Sequence, residues 1–188
     1  MVFVLLAALA TGCARSEAPS TTSCPELDAG KPVDPTLLAF LSRARAAHHL
    51  ADSHEQAKDL KAAVEVLELL LQGPAPGGAS PPPEAREVLA DTRARVASFQ
   101  SELGNFDVAM QHIEAGLKLV PDVTYFRGHL FEVRGLVEER RANQLREAHD
   151  EKAAEAAKQR ALTAFEEAMR IQEQVIQQAV PGAAPEPK

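Results

Sequence analysis

Three histidines that lie close together in the sequence, His48, His49 and His54, are the most obvious candidates for chemistry. Imidazole nitrogens bind zinc, and two ligands at i, i+4 spacing share one face of a helix. His49 and His54 are five residues apart, and the sequence contains neither an HExxH nor a CxxC pattern. We therefore predict no metal site and no cofactor, and metal binding by these histidines stays as an alternative.

Other catalytic patterns are weak as well. The only adjacent glycines lie among prolines with no apolar strand before them, so they do not form a phosphate-binding loop. The paired acids Glu138-Glu139 and Glu166-Glu167 lie in charged stretches, where a solvated helix face explains them. The net charge of -7 argues against binding to nucleic acid, which calls for a basic surface. The sequence thus predicts a protein that is not an enzyme.

Cys13 is the one residue with a strong signal for covalent chemistry. It follows an apolar run over residues 1–10 and the small residues Thr11 and Gly12. The run is too short to span a bilayer, which takes about 20 residues, but has the length of a signal-peptide core. This arrangement resembles the lipobox of bacterial lipoproteins, although no Lys or Arg precedes the run and Ala10 replaces the commoner Leu.

The lipobox resemblance implies how the chain begins and where it lies. Residues 1–12 would be a lipoprotein signal peptide, and Cys13 would carry the lipid that anchors the protein to a membrane of the bacterial envelope. The protein would face the periplasm, at the outer membrane more than at the inner one. An ordinary cleaved signal peptide is the alternative.

Residues 13–33 and 180–188 flank the part of the chain that we expect to fold. The first segment is rich in Ser, Thr, Pro and Ala and cannot bury much apolar surface, so it predicts a flexible tether after the lipid. The second is a Pro-rich, disordered tail. Residues 34–179 between them are enough for one domain with one core.

Residues 104–121 indicate the kind of element that this domain is built from. Gly104-Asn105 predicts a turn and Pro121 predicts the end of the helix that follows it. The segment before the turn has an apolar stripe of its own, so the two helices must lie antiparallel. Apolar or small residues recur at helical spacing along the second helix: Phe106, Ala109, Met110, Ile113, Gly116, Leu117 and Val120.

This hairpin resembles a tetratricopeptide repeat. The usual aromatic and leucine of the first helix are replaced by Arg93 and Val96. The resemblance implies an all-α fold, in which about three antiparallel helical hairpins form a short right-handed array. The matching positions are Ala97, Gly104, Asn105, Phe106, Ala109, Ile113, Gly116 and Pro121.

A first repeat precedes the central one. Its helices would begin at Asp34-Pro35 and end before a Pro- and Gly-rich surface loop at residues 72–83. The repeat register puts its turn near Lys58-Asp59, whereas a capping box at residues 53–56 is the alternative. The positions that match the second helix are Asp59, Leu60, Ala63, Leu67 and Leu70.

A third repeat, elongated, follows the central one. Gly135 matches its first helix and Phe165 its second, but the segment is about 14 residues longer than the repeat allows. We predict that both helices share the extra length and that the turn lies near His149-Asp150. One unbroken long helix is the alternative.

The repeat resemblance also implies a binding surface, because the first helix of each hairpin lines the concave groove in this family. Arg95 lies in the best-matching repeat, and we expect it to be exposed and to contribute to binding. The groove positions taken over by register are Arg45, His48, Asp52, Asp91, Arg95, Ser98, Glu132, Leu136 and Glu139.

Together these features predict a membrane-tethered adaptor that binds a protein or peptide partner through tetratricopeptide-like repeats. It is similar to the lipoproteins of this repeat class that help assemble outer-membrane machines, such as secretin pilotins and β-barrel assembly lipoproteins. A passive structural lipoprotein, or one that binds metal, is the alternative.

Overall fold

A computed structural model describes residues 34–180, which form six α-helices and no strand. The prediction of an all-α fold is confirmed. Residues 1–33 and 181–188, including the predicted signal peptide, Cys13, the tether and nearly all of the tail, lie outside the described residues. The helices are α1 (Pro35–Gln56), α2 (Leu60–Gln72), α3 (Pro83–Glu102), α4 (Phe106–Leu119), α5 (Tyr125–Glu147) and α6 (Glu151–Ala179).

Three of the connections are tight turns with nearly the same backbone geometry. The middle residue of each turn has a positive φ: 63° at Lys58, 80° at Gly104 and 61° at His149. Glycine adopts this conformation freely, whereas lysine and histidine adopt it only when the surrounding structure requires it. The residue that follows is an N-cap, and the carboxylates of Asp59 and Asp150 each accept a hydrogen bond of 3.1 Å from the backbone three residues on.

These turns decide between the alternatives that the sequence left open. The first turn lies at Lys58-Asp59, as the repeat register predicts, and Ser53 lies inside α1, where its hydroxyl donates to the carbonyl of His49. The capping-box alternative is therefore wrong. The chain also turns at His149-Asp150, so the alternative of one unbroken long helix is wrong as well.

The extra length of the third hairpin is shared by both of its helices, as predicted. α5 has 23 residues, close to the 22 of α1 and the 20 of α3, whereas α6 has 29 residues against 13 in α2 and 14 in α4. Both helices exceed half of a 34-residue repeat, so the expectation that they share the insertion is confirmed, and α6 is in addition longer than α2 and α4. This length lets α6 reach the start of α5, where the Gln172 amide donates to the carbonyl of Tyr125.

The helices pack in sequence order along the chain. Each helix contacts the next, and α1, α3 and α5 also contact one another in that order. Small side chains permit this close packing: Ala90, Ala94 and Ala97 of α3 are fully buried in the core that α3, α4 and α5 share. The surface formed by α1, α3 and α5 is therefore continuous. No helix of residues 34–180 is both long enough and apolar enough to cross a membrane.

Candidate functional site

Several of the predicted groove residues meet where α1 packs on α3. The guanidinium of Arg95 donates to the carboxylate of Asp52, and its Nη2 lies 3.6 Å from Oε2 of Glu55. The same guanidinium lies over the ring of Phe99, with its carbon 5.5 Å from the ring centroid. The Arg95 side chain is only 22% exposed. The Arg95 side chain therefore joins α3 to α1.

The expectation that Arg95 is an exposed side chain is therefore wrong. Its carboxylate partners on α1, 43 and 40 positions away in the sequence, hold it along the helix interface, and no local pattern reveals such a contact. A substitution of Arg95 by Glu would bring a third carboxylate beside Asp52 and Glu55. Such a variant would lose stability as well as binding, so Arg95 is a poor position at which to test the groove.

His48 lies at the centre of this surface, and its hydrogen bonds indicate its tautomer. The hydroxyl of Thr92 donates to the carbonyl of Val88 at 2.7 Å, so it must accept from His48 Nε2 at 2.9 Å. His48 Nδ1 then accepts from Nη1 of Arg95 at 3.3 Å. Burial is the largest cause that lowers the pKa of His48, and the charge of Arg95 is the second. The carboxylates of Asp91 and Asp52 raise this pKa, but by less. The imidazole is thus neutral, with its proton on Nε2.

Asp91 connects this cluster to α5. Its Oδ2 lies 3.8 Å from Nδ1 of His48, and its Oδ1 lies 4.0 Å from Nε2 of His129. His129 also contacts Glu132, with 3.1 Å between Nδ1 and Oε2, and its ring stacks on that of Tyr125. Residues of α1, α3 and α5 are therefore joined into one polar network.

A depression of about 350 Å³ opens beside this network. Leu41 and Val88 give it apolar walls, and Arg45 is an exposed cation at its edge. Its remaining lining residues include three further predicted groove positions: His48, Asp52 and Asp91.

The other predicted groove positions lie outside the depression. The hydroxyl of Ser98 accepts a 3.4 Å hydrogen bond from Arg140, so Ser98 belongs to the contact between α3 and α5. Glu132 joins the network through His129. Leu136 is half-buried and Glu139 is exposed, and neither makes a side-chain hydrogen bond or ion pair with the described residues. No group of three or more potential ligands in residues 34–180 is arranged to hold a metal ion.

Comparisons of the chain with protein-family models, with curated proteins and with solved structures gave no match.

An ion pair between α5 and α6 was missed by the sequence reasoning. Glu138 is only 3% exposed, and Nε and Nη2 of Arg160 donate to its two carboxylate oxygens at 2.9 and 2.8 Å. The prediction of a solvated face is thus wrong for Glu138 and correct for its exposed neighbour Glu139. Spacing could have indicated this, since Glu138 lies three residues after buried Gly135 and four before buried Ala142.

Arg160 of this pair lines a furrow of about 920 Å³ between α5 and α6. The furrow contains three arginines, but Arg160 is neutralised by Glu138, and Arg170 by Glu167 at 2.8 and 2.6 Å. Its size alone therefore does not make it a site for an anion. The paired carboxylate also shows that Glu166-Glu167 is not simply a solvated acid pair, because Glu167 is engaged by Arg170.

Acid should destabilise the fold through His48 and His112. Burial lowers the pKa of both below 6.5, with Arg95 and Arg93 as the second causes. The unfolded chain then binds more protons, so this stability is complete above about pH 6.5 and is lost as the pH falls toward the lowered folded pKa. The slope is at most about 1.4 kcal/mol per pH unit for each histidine.

The measurement is urea unfolding at about pH 7.5 and pH 5.5 in the wild type and in His48→Gln, whose amide can still donate to Thr92. The variant should lose less stability on acidification than the wild type does. An equal loss in both proteins would exclude His48 as a cause.

Proposed function

We propose that the protein is a membrane-tethered adaptor that binds a protein or peptide partner on the surface of α1, α3 and α5. The observation that carries this proposal is the depression beside the polar network, where Arg45, His48, Asp52 and Asp91 surround the apolar side chains of Leu41 and Val88. Apolar lining residues with charged groups of both signs around them are typical of a surface that binds peptides with specificity.

The adaptor would be built from three tetratricopeptide-like hairpins. Support comes from the three turns of matching geometry and from the side-by-side packing of the first helices of the hairpins. The turn residues Lys58, Gly104 and His149 are 46 and 45 residues apart, so each unit is longer than the 34 residues of the usual repeat. The proposal therefore concerns a relative of this repeat class with longer first helices.

Arg45→Glu tests the binding surface. Arg45 is exposed and makes no ion pair with the described residues, so the substitution should change stability by less than about 0.5 kcal/mol. Its place at the edge of the depression leads us to expect about tenfold weaker capture of the partner in cells, which corresponds to about 1.4 kcal/mol. The readout is crosslinking followed by mass spectrometry.

Lys61→Glu is the matched control, because it makes the same charge change at an exposed position of α2. It should leave capture unchanged. Equal capture by the wild type, Arg45→Glu and Lys61→Glu would mean that the partner does not use this surface.

The membrane tether has a test of its own. We propose that Cys13 is lipid-modified and holds the protein on the periplasmic side of an envelope membrane, so Cys13→Ala should lose fatty-acid labelling and leave the membrane fraction. The support is the apolar run and small residues before Cys13. A wild-type protein that takes up no labelled fatty acid would refute the tether. The groove is tested separately, by the Arg45→Glu variant.

A further inference from the structure

The repeated turns reveal a leucine at the same place in each hairpin. Leu71, Leu117 and Leu162 each lie 13 residues after the turn residue with positive φ. The first two are partly buried, and each packs against a core cluster that includes residues of the next first helix, α3 for Leu71 and α5 for Leu117. Leu162 is 45% exposed, because no helix follows α6 within residues 34–180.

The exposed apolar surface continues along α6. Met169 is 73% exposed and Ile176 is 61% exposed. Both follow Leu162 at seven-residue spacing, which keeps side chains on one face of a helix with a drift of about 20° per step. The three form a seam, hereafter the α6 seam, of the kind that packs against another helix. Leu162 takes the place that α3 and α5 cover in the earlier hairpins, whereas Met169 and Ile176 extend the seam beyond the length of α2 and α4.

Acidic residues line the α6 seam. Glu166 lies four residues after Leu162 and three before Met169, and Glu173 has the same relation to Met169 and Ile176. Such spacings place side chains next to each other on a helix surface, and both glutamates are exposed. Lys158 lies four residues before Leu162, and Arg170, which is close in sequence to both glutamates, is already paired with Glu167. The seam is therefore apolar along its centre and negative along its flank.

This charge pattern argues against a second copy of the chain as the occupant. If two α6 helices paired antiparallel about Met169, Glu166 and Glu173 of one copy would lie near those of the other, and like charges across such a contact are unfavourable. A helix with basic flanks avoids this repulsion and gains complementary charge.

We infer that the α6 seam docks an amphipathic helix of a partner protein, with an apolar stripe and with Lys or Arg along its flanks. The helix would lie against Leu162, Met169 and Ile176 as α5 lies against Leu117, and its cations would face Glu166 and Glu173. This surface goes beyond the proposed groove, since it uses different residues and a different helix.

The probe is a synthetic helix of about 20 residues, with Leu at the a and d positions of the heptad and Lys at e and g. A matched peptide carries Glu in place of every Lys. Binding to the full chain, purified in detergent, is measured by fluorescence anisotropy. The Lys peptide should bind at least tenfold more tightly than the Glu peptide, and Met169→Glu should weaken it at least tenfold. Glu166→Lys with Glu173→Lys should weaken it similarly, whereas Arg45→Glu should not.

Four outcomes would overturn the inference. The Lys peptide fails to bind the folded wild type, or it binds wild type and Met169→Glu equally, which indicates attraction by net charge alone. Binding is lost in Arg45→Glu and not in Met169→Glu, which places the helix in the groove. Sedimentation shows a dimer that Met169→Glu dissociates, which makes a second copy the occupant. Met169 is largely exposed, and an unchanged helical signal confirms that the variant folds.

Discussion

Arg160→Met is expected to lower the free energy of unfolding by about 3 kcal/mol. The substitution leaves the buried carboxylate of Glu138 without the guanidinium that now satisfies both of its oxygens. Removal of one partner from a buried ion pair costs about 3–5 kcal/mol, and the lower end applies because Arg160 is half exposed and water can reach the pair. Urea unfolding of the purified protein measures the loss.

Two further variants separate this explanation from a general effect of losing an arginine. Glu138→Met with Arg160→Met should recover most of the stability, because an apolar pair leaves no buried charge without a partner. Arg170→Met removes the more exposed pair with Glu167 and should cost much less stability than Arg160→Met does. Equal losses in Arg160→Met and Arg170→Met would show that Glu138 does not depend on its partner.

Gly135→Ala is expected to cost about 2 kcal/mol. A Cβ at this buried position of α5 would lie 2.5 to 2.7 Å from three ring atoms of Phe165 on α6. The ring is part of the helix interface and has to move as a whole, and overpacking of this kind costs about 1–3 kcal/mol. The gain of about 1 kcal/mol from replacing a helical glycine by alanine does not compensate for it fully.

Gly128→Ala is the matched control on the same helix. Its Cβ would approach the amide end of Gln172, a flexible side chain that can turn aside, so the change should be nearly neutral. Phe165→Leu should relieve the cost of Gly135→Ala. If both glycine variants melt at the same temperature, the ring of Phe165 is not a constraint.

The elements with strong local signals were predictable from the sequence. Ala109, Ile113 and Gly116 are buried as their helical spacing predicts, and α4 follows the turn at Gly104-Asn105. Glycine, asparagine and proline restrict the backbone within a few residues, so such signals do not depend on the rest of the fold. The turn at His149-Asp150 was placed instead from the length of the repeat, because no glycine or proline marks it and histidine is an unusual residue for a positive φ.

The side-chain partners were not predictable in this way. The contact of Arg95 with Asp52 joins residues 43 positions apart, and that of Arg160 with Glu138 joins residues 22 apart. A charged residue on a helix is expected to be solvated unless the helix that covers it is known. Which helix covers it depends on the register between elements.

The order in which the helices pack also determines how the protein would respond to a mechanical pull. Within residues 34–180, α1 and α2 pack closely on each other and on α3, whereas their contacts with later helices are limited to side chains of α4, such as His112 Nε2 at 3.9 Å from Oε1 of Glu68. A force applied at Asp34 would therefore load one hairpin at a time, while the hairpins behind it stay folded. Each released hairpin of about 45 residues adds on the order of 150 Å of extended chain. The domain would therefore lengthen in steps, as its hairpins unfold one after another.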